Sequence, residues 1–115
     1  SSEAAARFMV ENLRNHGFEL VKDAYGWVDT PSEEEVWSMA EAEHNDWMLT
    51  RMWVDAIGAK RRASYDYEVE PPAKKGTHMP FKDLDQNTQG YNRRIVDDVY
   101  PALVGMFGYG IARIS

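Results

Sequence analysis

Three side chains of this 115-residue sequence stand at a spacing that could do chemistry: His44, Trp47 and Arg51. At i, i+3 and i+7 they share one face of any helix that carries them. An indole face can stack a flat heterocycle, and a guanidinium can pair bidentately with an anion. An imidazole can donate or accept at a ligand's edge. The same triplet also has a structural reading. Trp at helical spacing more often fills a core, and an Arg one turn away often simply stacks on it.

Other chemistries find less material. Glu41, Glu43, His44 and Asp46 resemble a metal set, but no second His stands at i+4. His16 and His78 are far apart in sequence. There is no Gly-rich phosphate loop and no Ser–His–acid order, so no catalytic residue, metal or cofactor is expected and the chain is read as a non-enzyme. The acidic runs Glu33-Glu34-Glu35 and Asp97-Asp98 read as solvated faces or as partners of helix N-termini.

A net charge of −6 argues against a general nucleic-acid binder. Within that balance Lys60, Arg61, Arg62, Lys74, Lys75, Arg93 and Arg94 place seven of the 13 positive charges between residues 60 and 94, enough to hold a small anion. The absence of Cys suits a reducing compartment. No apolar run approaches 18 residues and no signal-peptide pattern opens the chain, so a cytoplasmic location without membrane insertion is expected. Ser1 begins a helix-like run without an initiator Met, which reads as one domain of a longer protein.

The elements that would carry the triplet are legible in outline. Residues 3–16 read as a helix with apolar positions at Ala6, Met9, Val10 and Leu13, stopped by Gly17. A short strand over 18–21 and a turn at Tyr25-Gly26 follow. Thr30-Pro31-Ser32-Glu33 is expected to open a long helix, with Thr30 as N-cap and Glu33 reaching back to it. That helix should run to about Ala56 and end at Gly58. Residues 57–80 read as a long irregular arm, with alternation over 64–70, a break at Pro71-Pro72 and a tip at Lys74-Lys75-Gly76. A last helix over 85–107, with a stripe of Tyr91, Ile95, Val99, Leu103 and Met106, should be kinked or split by Pro101. A terminal strand over 109–114 completes the chain.

Both outer helices end alike, Gly17-Phe18-Glu19-Leu20 against Gly108-Tyr109-Gly110-Ile111, which suggests two strands paired at one end of a helical body. The expected fold class is mainly α, a compact helical domain with a small strand pair.

These segments together carry a family likeness. Glu34-Glu35-Val36 and the run from Met39 to Arg51, with His44, Trp47 and Arg51 in place, resemble the opening helix of the ryanodine-receptor repeat, or RyR domain. Met79-Pro80-Phe81-Lys82-Asp83-Leu84 resembles that family's Val-Pro-aromatic-Asp-Glu-Leu segment, and Tyr91-Asn92-Arg93 the amide-plus-Arg that follows. Val99-Tyr100-Pro101-Ala102-Leu103 resembles the Ile-Pro-x-x-Leu of bacterial members. The order holds over 30–112, and 1–22 resembles the tail of a preceding repeat, all within one domain of 1–115. The family's Gly-Trp and Tyr-Gly after the helix Arg are replaced here by Asp55-Ala56-Ile57-Gly58, and its Thr-His-Pro by Thr77-His78-Met79-Pro80.

The resemblance, to the bacterial or phage type, implies a non-catalytic regulatory module that senses a small anionic ligand of the adenine-nucleotide kind. It further implies Trp47 as stacking platform, Arg51 and Arg93 as anion contacts, and His44 and Asn92 as edge hydrogen-bonders. Neighbouring or fused domains of a larger protein would be its partners. A second reading is protein–protein or self-association through Trp27, Trp37, Trp53, Tyr65 and Tyr67.

Overall fold

The computed structural model describes residues 2–64 and 79–115, with Ser2 and residues 50–64 described as backbone only. Helix α1 (Ser2–Asn15) leads through Gly17 into strand β1 (Phe18–Lys22), and a second, two-residue strand β2 (Gly26–Trp27) follows. Helix α2 (Glu33–Ser64) comes next. A 3-10 turn at Phe81–Asp83 then precedes helix α3 (Gln86–Arg94), a π-turn at Ile95–Val99, helix α4 (Tyr100–Gly105) and strand β3 (Tyr109–Arg113).

The two outer helices do leave by the same exit. Gly17 and Gly108 sit at φ +84° and +81°, conformations open to glycine at little cost. The strands they release pair antiparallel, with Phe18 opposite Arg113 and Lys22 opposite Tyr109. The sheet has three strands in the order β1-β3-β2, not a pair. Gly26, expected in a turn with Tyr25, instead joins Trp27 in running parallel to β3 at Gly110-Ile111. Gly110 permits that approach: a Cβ there would stand 2.9 Å from the Ala24 Cβ and 3.0 Å from the Tyr25 nitrogen.

Helix α2 starts later and ends later than its sequence pattern suggests. Its N-cap is Ser32, not Thr30. The Glu35 amide donates to Ser32 Oγ at 3.1 Å, and the Ser32 amide donates to Glu35 Oε1 at 2.7 Å, a complete capping box. At the other end the helix passes Gly58 and continues to Ser64. One interior glycine costs about 1 kcal/mol relative to Ala, and Ala59-Lys60-Arg61-Arg62-Ala63 are all strong helix formers. The first part of the expected arm is therefore helical, while 65–78 lie outside the described residues.

The last helical stretch is split, as Pro101 demands. Asp85 caps α3 by accepting from the Thr88 amide at 2.7 Å. Through the π-turn the Tyr100 amide reaches back five residues to the Ile95 carbonyl. Pro101 has no amide to offer the Asp97 carbonyl four residues back, and the Trp27 indole N–H donates to that carbonyl instead at 3.2 Å. The buried face runs one residue on from the expected stripe. Asn92, Val96, Tyr100 and Val104 point inward, while Tyr91, Val99 and Met106 of the expected stripe are exposed.

The core lies where these elements meet: Met9 and Leu13 of α1, Phe18 of β1, Met39 and Ala40 of α2, Val96 and Val104, and Ile111 of β3. Full burial of a side chain such as Leu13, Phe18 or Met39 contributes about 1.5–3 kcal/mol. The N-terminal 22 residues thus share one core with the rest. Charged fasteners tie the start of α2 to both neighbours. Arg93 of α3 donates to both Glu33 oxygens at 2.6 Å and to Asp97 at 3.0 Å. Arg113 of β3 donates to both Glu35 oxygens at 2.9 and 2.7 Å.

Candidate functional site

Where α2 passes α3 the side chains leave a cleft of about 260 Å³, lined by Glu43, His44 and Trp47 from α2 and by Thr88, Tyr91 and Asn92 from α3, with Ile95 beyond. Three of the five residues singled out in the sequence meet there: His44, Trp47 and Asn92. They come from two distant segments, and capping and core packing bring the segments together.

His44 is buried at 2% exposure, and its Nε2 stands 2.7 Å from the Met79 carbonyl. A carbonyl only accepts, so Nε2 carries a proton and donates it. The ring stacks on Trp47 at 5.9 Å and 22°, and tilts against Phe81 at 6.1 Å. His44 thereby anchors the segment entering α3 and backs the Trp47 indole at the same time. Trp47 is 42% exposed and Tyr91 is 62% exposed, so two aromatic rings border the opening.

Asn92 is buried at 7% exposure and donates its Nδ2 to the Thr88 carbonyl at 3.0 Å. That bond fixes which way the amide faces. Its Oδ1 has no donor among the described residues and is left as an acceptor on the cleft wall.

The two arginines fare differently. Arg93 does not line the cleft: it is held between Glu33 and Asp97 with its guanidinium 4.9 Å from the Trp37 ring. The acidic runs read as solvated faces thus include its two ion-pair partners. The Arg51 side chain lies outside the described residues, as do Lys60, Arg61, Arg62, Lys74 and Lys75. Of the aromatics proposed for association, Trp27 packs edge-on to Phe18 at 5.4 Å and Trp37 lies under Arg93. Trp53, Tyr65 and Tyr67 fall outside the described side chains.

Sequence reasoning missed Tyr91 and Glu43. Tyr91 was assigned to the apolar stripe, but the buried face of α3 runs through Asn92 and leaves Tyr91 outward. Glu43 gave no signal beyond its charge. It accepts a hydrogen bond from the Tyr100 hydroxyl, which in turn accepts from Asn12 Nδ2 at 2.9 Å. Burial pushes the Glu43 carboxyl above its usual range, against the opposing effect of the Tyr100 bond, and also pushes the Tyr100 hydroxyl up. Asp46 is raised by burial and by the charge of Glu11.

Among the described residues no group of His, Cys, Asp or Glu could hold a metal ion, and no helix is long and apolar enough to cross a membrane. Compared with family models, curated proteins and solved structures, the chain finds no match.

Proposed function

We propose that this chain is a non-catalytic regulatory module of the RyR-domain type that binds an adenine-nucleotide-like ligand in the cleft between α2 and α3. The observation that supports this most is the convergence of His44, Trp47 and Asn92 on one partly open cleft bordered by a second aromatic ring, Tyr91. A flat base fits against the exposed indole, with stacking worth about 1–3 kcal/mol. The Asn92 Oδ1, with its amide nitrogen already given to Thr88, asks for a donor. Adenine offers one in its exocyclic amine, whereas a base with a carbonyl at that position would set acceptor against acceptor.

The anion contact in this reading is Arg51, two turns along α2 from His44, because Arg93 is already committed to Glu33 and Asp97. Bound ligand would be sensed by neighbouring domains of a larger cytosolic protein.

Calorimetric titration with ATP, ADP, ADP-ribose, cyclic dinucleotides and GTP tests the reading. An adenine nucleotide should bind with Kd below about 1 mM, near −4 kcal/mol, and more tightly than GTP. Trp47→Ala should weaken it at least about tenfold. Absence of any nucleotide binding below millimolar sinks the proposal.

Self-association remains a second reading, now favoured by a different set of residues. Tyr25, Met106 and Phe107 are 78%, 78% and 73% exposed, and the Tyr25 ring lies against Gly105 beside the other two. Sedimentation decides: a strictly monomeric chain removes it.

A further inference from the structure

A second and larger cavity, about 720 Å³, runs as a groove between α1 and the last helical stretch. Ala6, Met9 and Val10 form one side, and Ile95, Val99 and Leu103 form the other. Ile95, Val99 and Leu103 belong to the apolar stripe that the sequence pattern picked out, and the fold leaves them partly at the surface, with Val99 50% exposed. The volume lies within the roughly 300–1,000 Å³ usual for small-molecule sites.

The charged groups on its wall are two carboxylates, Glu3 and Glu43, with no basic side chain. Glu3 is exposed and already paired with Arg7 at 2.7 Å. Glu43 is half-buried. It lines both the groove and the cleft, and its Oε1 takes the hydroxyl of Tyr100, another residue of the groove lining. Its Oε2 has no donor among the described residues. A half-satisfied carboxylate in an apolar wall is costly and calls for a cation. Glu43 is partly buried and shared with the cleft lining, so a cation on a slender chain suits it best.

We propose that this groove binds an amphiphile with a flexible hydrocarbon body and a primary ammonium head. The ammonium pairs with Glu43, and the hydrocarbon lies along Ala6, Val10, Val99 and Leu103. The groove shares Glu43 and Ile95 with the cleft, but its occupant is argued without the nucleotide reading.

The test is calorimetry of the full chain with dodecylamine, dodecanol and dodecanoate, each below its aggregation concentration at pH 7. The amine should bind about tenfold or more tighter than the alcohol, and the carboxylate weakest, since a charged hydrogen-bonded pair outweighs a neutral one. Glu43→Gln keeps the acceptor for Tyr100 and should bring the amine down to the level of the alcohol. Val99→Lys, at a half-exposed position, supplies a resident ammonium and should remove the amine preference with the circular dichroism unchanged. Equal binding of amine and alcohol, tighter binding of the carboxylate, or no binding overturns the proposal. So does a dimer in sedimentation that Val99→Lys dissolves, because the groove would then be covered by a second copy. Loss of nucleotide binding in Trp47→Ala with amine binding intact keeps this proposal and the cleft reading separately testable.

Discussion

Two stretches of one helix use the same residue type in opposite ways. In the first turn of α2, Glu33 and Glu35 are each met by a bidentate arginine, and Glu35 also closes the capping box with Ser32. Arg93 holds the Glu33 carboxyl below its usual range, and Arg113 together with the Ser32 amide brings Glu35 down to about 2. Two turns later Glu43 has only a neutral tyrosine hydroxyl, and burial pushes its carboxyl up. The first pair fastens the helix to α3 and to the sheet. The second is a charge the fold tolerates at a cost, where two cavities adjoin. The contrast separates structural charges from candidate functional ones without reference to any known protein, and it can be broken at either end.

The largest effect should come from the residue that holds the second region in place. Asn12 is 1% exposed and donates to both the Met39 carbonyl at 3.0 Å and the Tyr100 hydroxyl at 2.9 Å. Asn12→Ala leaves both without that donor and should cost about 2–3 kcal/mol, read as a lower urea midpoint with an unchanged slope. A loss under about 0.5 kcal/mol would mean that the Asn12–Tyr100–Glu43 chain does not organise this part of the fold.

At the first turn the effect should be smaller and dependent on pH. Ser32→Ala removes the cap and should cost about 1 kcal/mol at neutral pH. Glu35 has a folded-state pKa below its unfolded one, so its ionised form favours the fold. That contribution is full above the ordinary value of 4.5 and drains away as pH falls toward about 2. Glu35→Gln should therefore lose stability relative to the native chain at pH 7 and converge with it near pH 2. Parallel pH profiles would show that the Arg113 pairing contributes nothing measurable.

Local rules carried the sequence reading as far as local rules apply. The glycine exits at 17 and 108, the Asp85 start and the break at Pro101 are signals within a few residues, and all are found. The cap moved from Thr30 to Ser32 because two overlapping patterns each place a Glu three residues on, and Glu35 is the one whose carboxylate also meets Arg113 across the fold. The buried stripe lies one residue on from the expected one because Asn92 and Tyr100, whose polar atoms find hydrogen-bond partners inside the fold, take inward positions that an apolar pattern does not mark. In the cleft, His44 and Trp47 were marked by their spacing and Asn92 by the resemblance. The fate of Arg93 depended on Glu33 arriving from 60 positions away. Glu43, weighed only as one of a metal set, and Tyr91, placed in the apolar stripe, were not marked for the cleft because their surroundings, not their identity, make them candidates.

The smallest expected effect is the one with the opposite sign. Glu43 has a folded-state pKa above its ordinary 4.5, so the fold binds its proton more tightly than the unfolded chain does. Its contribution is fully present below the unfolded value and is lost as pH rises through the folded one, where the ionised carboxyl opposes folding. Glu43→Gln keeps an acceptor for Tyr100 and removes the charge. The variant should therefore be more stable than the native chain at pH 7, by less than the Ser32 cap contributes, and the gain should vanish below about pH 4. Thermal melts of both chains across that range measure it. A variant less stable than the native chain at pH 7 would mean that the carboxylate is already paired in solution. The contrast between the two stretches of α2 would then disappear, since both would be fastened.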